Sequence, residues 1–549
     1  MSDRPADLVL RDGSVQTMDA VRRWVRALAV RDGRISSVGT DRDVEPSIGP
    51  HTRVVELRGR TVLPGFGDAH IHAVRGGVRL SRCYLHETRG RDDLLAAIRR
   101  YADDHPDETW IRGGGWYMAD FPGGTPRRED LDRILPDRPA YLRNRDGHGA
   151  WVNGRALELA GITAGTPDPS DGRIERDGDG SPSGTLHEGA MDLIGRLLPK
   201  DTQTERDHGL LVAQRYLHSL GITNWQDAIV EAPEEATYRA AAERGELTAQ
   251  VVGALWWDRH RGAEQIDEII ERRRTASHGR FRATAVKIMQ DGVPENFSAA
   301  MIEPYVDGLG RPTADAGHSF VDPAALKGYV ARLDEEGFGV HFHAIGDRAV
   351  RESLDAIEEA RRVNGMSDGR HHLAHIQVVH PDDIPRFRAL RAVANAQPLW
   401  ACHEPQMDVL TIPFLGPERA TRQYPFGSLL RAGAMLAMGS DWTVSTPNVL
   451  TEIEVAVTRI APGSRSKKPA FLPDERLDLP DALHAFTMGT AYVNGLEDEV
   501  GSLQAGKAAD IVVLDRDVFD REAGPIGDAR VVATFIDGQS VYEDATFDG

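Results

Sequence analysis

Asp68-Ala-His70-Ile-His72 closes an apolar run, residues 61–72, that reads as a β-strand ending in two imidazoles. On a strand alternate residues share a face, so His70 and His72 point one way and Ile71 the other. Chance alone supplies about 0.7 His-x-His pairs in a chain with 20 histidines among 549 residues, so the pair by itself decides nothing. Its company does. Val286-Lys287-Ile288, His341-Phe-His343-Ala, His372-Leu-Ala-His375 and Met438-Gly-Ser-Asp441 end further apolar runs in the same manner. At the carboxyl ends of parallel barrel strands such side chains converge on one point. Four histidines, a lysine and an aspartate meeting there make a two-metal hydrolytic centre.

Eight runs read as barrel strands: 61–72, 221–228, 248–255, 283–290, 337–344, 371–379, 392–398 and 434–441. Helical segments such as 347–363 and 381–390 follow them, and strands alternating with helices predict a parallel sheet. The fold class is therefore α/β, a (β/α)8 TIM-like barrel over residues 63–494. The gap at about 74–205 far exceeds a barrel connection and is read as a subdomain inserted after the first strand, over the barrel mouth. Both ends carry short strands with Asp-Gly turns (Asp12-Gly13, Asp32-Gly33, Asp537-Gly538). Residues 1–62 and 495–549 are accordingly expected to form one composite β-sandwich.

Composition narrows the class further. Hydrophobic residues at 40% and charged residues at 27% suit a globular enzyme and argue against disorder. The net charge of −20 argues against non-specific nucleic-acid binding, which needs basic surfaces. No apolar run approaches the length of a membrane span. The start lacks the basic and apolar regions of a secretory signal, and Cys83 and Cys402 give no disulfide framework. A cytoplasmic setting is expected.

Only six of the 65 basic residues are lysines, so a lysine on an interior strand position asks for a reason. Lys287 is either a core lysine held by a carboxylate or an amine that loses its proton on burial and adds carbon dioxide. The second course makes a carbamate, an anion able to bridge two cations, which arginine cannot do. His70, His72, His343 and His375 are the imidazole ligands this reading needs. His341 shares the face of His343 one pleat deeper and is expected to donate a proton to orient a ligand; either of the two could be the ligand. Asp68 is placed behind the ligands in the same way. Asp441 is either a helix cap or a ligand that shuttles a proton. His148, Trp116, Phe297, Trp400 and Trp442 are assigned substrate contact, with plain packing the alternative for each aromatic.

Pro64-Gly-Phe-Gly-Asp-Ala-His-Ile-His72, His343-Ala-Ile-Gly-Asp347, Ala374-His375, Gly439-Ser-Asp441 and the tail Val500-Gly-Ser-Leu-Gln-Ala-Gly-Lys-Ala-Ala-Asp510 resemble the amidohydrolase superfamily. Asp146-Gly-His148-Gly-Ala-Trp-Val-Asn153 and Val286-Lys-Ile-Met-Gln-Asp-Gly292 resemble its amidohydrolase 3 (YtcJ-like) branch, which contains N-substituted formamide deformylases. The resemblance implies two zinc ions and an N6-carboxylated Lys287 bridging them. His70, His72 and Asp441 would hold the more buried ion, and His343 and His375 the more exposed one. It also implies a homodimer and hydrolysis of a C–N amide-type bond by a hydroxide shared between the metals, with Asp441 carrying the proton. Carbamate, ester or cyclic imide hydrolysis, a one-metal deaminase and a non-catalytic binding protein are the competing readings.

Overall fold

The computed structural model describes residues 4–88 and 90–547. Its central sheet has eight strands: β1 (Phe66–Ile71), β2 (Ile222–Val230), β3 (Gln250–Trp256), β4 (Phe281–Met289), β5 (Gly339–Ala344), β6 (His372–His375), β7 (Val393–Ala396) and β8 (Met435–Met438). Neighbours in the chain are neighbours in the sheet, and every pair is parallel. The first and last strands close on each other just past the end of β8. Asp441 N–H donates to His70 O at 2.7 Å and His72 N–H to Trp442 O at 3.1 Å. The Asp68 carboxylate fastens the same seam, accepting from Ser440 N–H at 3.0 Å and Ser440 Oγ at 2.5 Å. Gly439 is required here, because a Cβ would lie 2.4 Å from His70 N. The eight-stranded TIM-like barrel expected from the sequence is present.

Outward-facing Val286, Ile288, Phe342 and Leu373 pack under the surrounding helices in one large apolar cluster. The interior is not filled by branched apolar residues, as barrels usually are. Gln226, His341, His372 and Asn395 are all buried there. Gln226 Oε1 meets His341 Nδ1 at 2.6 Å and His372 Nε2 at 2.9 Å, while Asn395 Nδ2 donates to Ala69 O at 2.9 Å. Buried polar groups that find each other in this way cost little, and they make a rigid polar floor for the site above.

The predicted first strand proves to be two. Thr61–Pro64 pairs antiparallel with Ile511–Leu514 of the C-terminal segment, and only after Gly65 does the chain enter the barrel. A Cβ on Gly65 would sit 2.4 Å from Thr223 Oγ1, so glycine lets the chain pass from one sheet to the other. His72 lies beyond β1, capping the helix Ala73–Leu80. The predicted 371–379 strand stops at His375, where His375 and Ile376 take φ values of 77° and 40°.

Terminal strands form two sheets around one core. Leu8–Arg11, Ala27–Arg31, Arg34–Gly39 and Arg53–Glu56 make the first. Ser14–Gln16, Trp24–Val25, Thr61–Pro64, Ile511–Leu514, Val531–Ile536 and Gln539–Glu543 make the second. Leu10, Val30, Val62, Val513 and Phe535 meet between them. Asp32-Gly33 and Asp537-Gly538 turn with both residues at positive φ, as hairpins prefer. Asp12-Gly13 instead carries the chain between the two sheets, with Gly13 pressed against Leu57. Between β1 and β2 lies a further six-stranded sheet, in the order Gly172–Arg176, Pro182–Glu188, Gly149–Val152, Ala140–Asn144, Ile111–Trp116, Cys83–Tyr84. Among the described residues no helix is long and apolar enough to cross a membrane.

Candidate metal centre

The barrel mouth collects the side chains that the sequence singled out. His70 Nδ1 lies 2.9 Å from His341 Nε2. An amide oxygen only accepts, so the 2.6 Å contact with Gln226 Oε1 puts the His341 proton on Nδ1, and His341 Nε2 accepts from His70 Nδ1–H. His70 is left with a lone pair on Nε2, which points at Asp441 Oδ1 from 3.6 Å. The order is the reverse of the expected one, since His341 receives a proton from the ring it orients. His341 also spends both nitrogens on this chain. His343 spends only one among the described residues: its Nδ1 meets Asp291 Oδ1 at 3.0 Å.

Asp291 is the group that sequence reading missed. It accepts backbone N–H bonds from Ala300 at 3.0 Å, Ile345 at 3.0 Å and Gly346 at 2.8 Å, besides facing His343. Strand parity could have found it, because 287, 289 and 291 share a face. Groups that orient metal-binding imidazoles typically matter by about 10- to 100-fold. Asp291→Asn is therefore expected to lower metal affinity or kcat/KM by about that factor, read by metal titration alongside kinetics.

His72 Nε2 lies 3.0 Å from Asp441 Oδ1, and one donor atom each from His70, His375 and Asp441 falls within 4.8 Å of the others. His375 and His343 face each other with ring centroids 4.5 Å apart. His375 and Asp441 both sit at positive φ, 77° and 53°, a strain of about 1–3 kcal/mol each that clusters at functional sites. Lys287 lies across from His341 in the β4–β5 ladder, is 1% exposed and has no hydrogen-bond partner for Nζ.

Electrostatics follow from this crowding. Burial, then the Lys287 charge and neighbouring rings, holds His70 and His341 well below the usual histidine range. Burial does the same to His343, helped by His375 and His148, and brings His375 down to about 3. Neutral imidazole is the form that binds metal. Burial brings Lys287 down to about 7, only partly opposed by Asp441 and Asp291. Burial alone would raise Asp441, but the His72 hydrogen bond and the charges of His72, His375 and Lys287 outweigh it and hold the carboxylate below its ordinary range. Lys287 Nζ, His72 Nδ1 and His375 Nδ1 are all buried without hydrogen-bond partners, and Asp441 Oδ1 is buried with only the His72 ring against it. Lone pairs of nitrogen and oxygen left idle together suit a divalent cation of zinc type.

The model of the amidohydrolase family matches residues 53–542. The chain belongs to that family. It is 31% identical to Protein LONG AFTER FAR-RED 3 of Arabidopsis thaliana, over 98% of this chain and 92% of that one. It is 29% identical to the N-substituted formamide deformylase of Arthrobacter pascens, over 98% of both. The crystal structure of a metal-dependent hydrolase from Pyrococcus furiosus superposes with a TM-score of 0.70 at 25% identity, covering 93% of this chain and 99% of that one. This amidohydrolase is accordingly a metal-dependent hydrolytic enzyme.

Its predicted substrate contacts divide. His148 reaches the centre from the inserted sheet, its ring centroid 5.3 Å from that of His343 and its Nδ1 2.9 Å from Glu188 Oε1. Burial alone would lower its pKa, but the Glu188 charge and hydrogen bond lift it to about 9. Trp400 stacks on His375 with centroids 5.3 Å apart and donates Nε1–H to Ser445 Oγ at 2.9 Å. Two other tryptophans belong to cores instead. Trp116 is fully buried in the inserted subdomain beside Phe121 and Trp151, with Nε1–H donated to Leu142 O at 2.8 Å. Trp442 follows the Asp441 turn outward and packs against Gly76 and Tyr216. Phe297 packs edge-on against Tyr305 and Phe414. It lines a cavity of about 310 Å³ with Arg173, His187 and Glu295 that none of the expected metal ligands borders. Trp116→Ala is expected to cost about 3–5 kcal/mol of stability while leaving kcat/KM of the folded fraction unchanged, read by denaturant melts and kinetics.

Proposed function

We propose that this amidohydrolase cleaves the C–N bond of a small amide-type substrate, an N-substituted formamide or related N-acyl amine. Two zinc ions would be held by His70, His72, His343, His375 and Asp441, with carboxylated Lys287 between them. The observation that carries the reading is the buried, partnerless Lys287 amine among neutral imidazoles and one carboxylate. With a pKa near 7 the amine is substantially neutral at neutral pH. Its nitrogen lone pair can attack the carbon of carbon dioxide, forming an N–C bond and losing a proton to give the carbamate anion. Bound divalent ions supply a polarised substrate carbonyl and water acidified toward neutrality.

The protein's own groups do the rest. Asp441, held between His72 and the barrel interior, accepts the proton of the attacking water and returns it to the departing amine nitrogen. Asp291 and the Gln226–His341 chain keep His343 and His70 aimed at the centre. His148, held protonated by Glu188, would donate to the substrate carbonyl as negative charge develops there. Likeness to the Arthrobacter pascens deformylase over nearly the whole chain supports an N-formyl amine as the first substrate to try.

The test is amine release from N-benzyl and N-aryl formamides, acetamides, carbamates and cyclic imides by zinc-loaded protein. Release from formamides that stops on chelation is expected. Fully zinc-loaded protein inert toward every compound would contradict the reading.

A further inference from the structure

The helix Ala73–Leu80 starts immediately after His72 and carries two arginines one turn apart, Arg75 and Arg79. Arg75 is held by Glu231 and by Glu234 at 3.1 Å. Arg82, just past the helix, is held by Glu108, Asp201 and Glu205. Arg79, between them, has no carboxylate partner among the described residues; its Nη1 donates to Thr443 Oγ1 at 2.5 Å. Side chains on a helix lean toward its N-terminus, so Arg79 leans toward His72, and Thr443 is two residues past Asp441.

Two more arginines without a carboxylate ion pair among the described residues come from the inserted sheet and the turn that follows it. Arg143 lies on the strand Ala140–Asn144, against the Tyr141 hydroxyl and close to Arg79, again with no carboxylate partner among the described residues. Arg145 stacks over Tyr117 at 5.0 Å and donates to His86 O at 2.9 Å; its Nε is buried without a partner. The Gly113-Gly114-Gly115 run makes room for this face. Gly114 pairs with both Arg143 and Tyr84, and a Cβ on Gly115 would strike the His86 ring at 2.2 Å. Burial, with Arg143 and Arg75 close by, holds Arg79 below its ordinary value, only partly opposed by Asp441.

Guanidinium groups brought together without an ion-pair partner among the described residues are costly unless something neutralises them, and the charges of Asp441, Glu404 and Asp120 reach Arg79 and Arg145 only at longer range. Arg79 on the helix after His72, Arg143 on the inserted strand and Arg145 just past it are all half-buried. We infer that Arg79, Arg143 and Arg145 form an anion-binding pocket beside the metal centre, so that the substrate carries a carboxylate or phosphate group along with its scissile bond. The inference rests on the proposed hydrolytic site for the word substrate, but the pocket itself stands on the arginines alone. Paired guanidinium–oxyanion contacts would fix the register of that substrate over His148 and the metals.

Calorimetry with the zinc-loaded protein tests it without turnover, using phenylacetate, benzylphosphonate and neutral 2-phenylethanol. At least one of the two anions should bind about 10- to 100-fold more tightly than the alcohol. The tighter of the two tells carboxylate from phosphate chemistry. In Arg79→Met and Arg143→Met the ratio of anion to alcohol affinity should fall toward one. Equal affinity for anion and alcohol in the wild-type protein overturns the inference, and needs no variant. A preference that survives in both variants overturns it too, since the anion would then be sitting on the metals. Inactivity toward every amide with an arginine-dependent preference intact would instead count against the hydrolase reading and leave the pocket standing.

Discussion

Lys287→Ala is expected to abolish turnover, lowering kcat/KM by at least about 10³-fold, or about 4 kcal/mol of transition-state stabilisation. Metal content should fall with it, from about two ions per chain to one or fewer in emission spectroscopy. The physical reason is specific to this lysine. Its amine is buried with no hydrogen-bond partner, so alanine removes no structural bond and relieves a desolvated amine. A purely structural lysine would give the opposite pattern, with stability lost and metal content kept. Lys287→Arg is the companion variant: it restores a positive charge but cannot form a carbamate, and should stay inactive. Unchanged activity and unchanged metal content in Lys287→Ala would remove the bridging role.

Asp441→Ala is expected to lose about 10²- to 10⁴-fold in kcat, the usual share of a positioned general acid–base, with metal content largely retained by the histidines. Both effects come from one position. Asp441 ends the β8 segment at a strained φ of 53°, its Oδ1 3.0 Å from His72 Nε2 and its backbone N–H bonded to His70 O at 2.7 Å. The backbone bond belongs to the barrel seam and survives the substitution, so the fold should hold. The pH profile separates the roles. Loss of the proton carrier should flatten the acidic limb of kcat, whereas a lost ligand would lower metal occupancy at every pH.

Much of this is legible in the sequence because strand alternation and turn chemistry are both local signals. Period-two alternation placed His70, Lys287 and His343 on interior strand positions, and turn chemistry marked Asp32-Gly33 and Asp537-Gly538 as hairpins. Most of the differences turn on a neighbour far away in sequence. Residues 61–72 look like a single strand until Gly65 meets Thr223, and Asp12-Gly13 looks like a hairpin until Gly13 meets Leu57. Nothing local marks Trp116 as core, because Phe121 and Trp151 enclose it only once the inserted sheet has formed. Trp442 points away from the site, as alternation already requires of the residue after inward-facing Asp441, and packs on Tyr216 instead. His341 was misjudged in direction alone, as Gln226, 115 residues earlier, sets its proton. Asp291 was within reach of strand parity, yet what makes it an orienting group is its set of bonds to Ala300, Ile345 and Gly346 across a loop.

Anomalous diffraction at the zinc edge from crystals of the zinc-loaded protein tests the central claim most directly. Two peaks are expected at the barrel mouth, one against His70, His72 and Asp441 and one against His343 and His375, with extra density on Lys287 Nζ spanning them. A single peak that leaves Lys287 unmodified and out of contact would contradict the account.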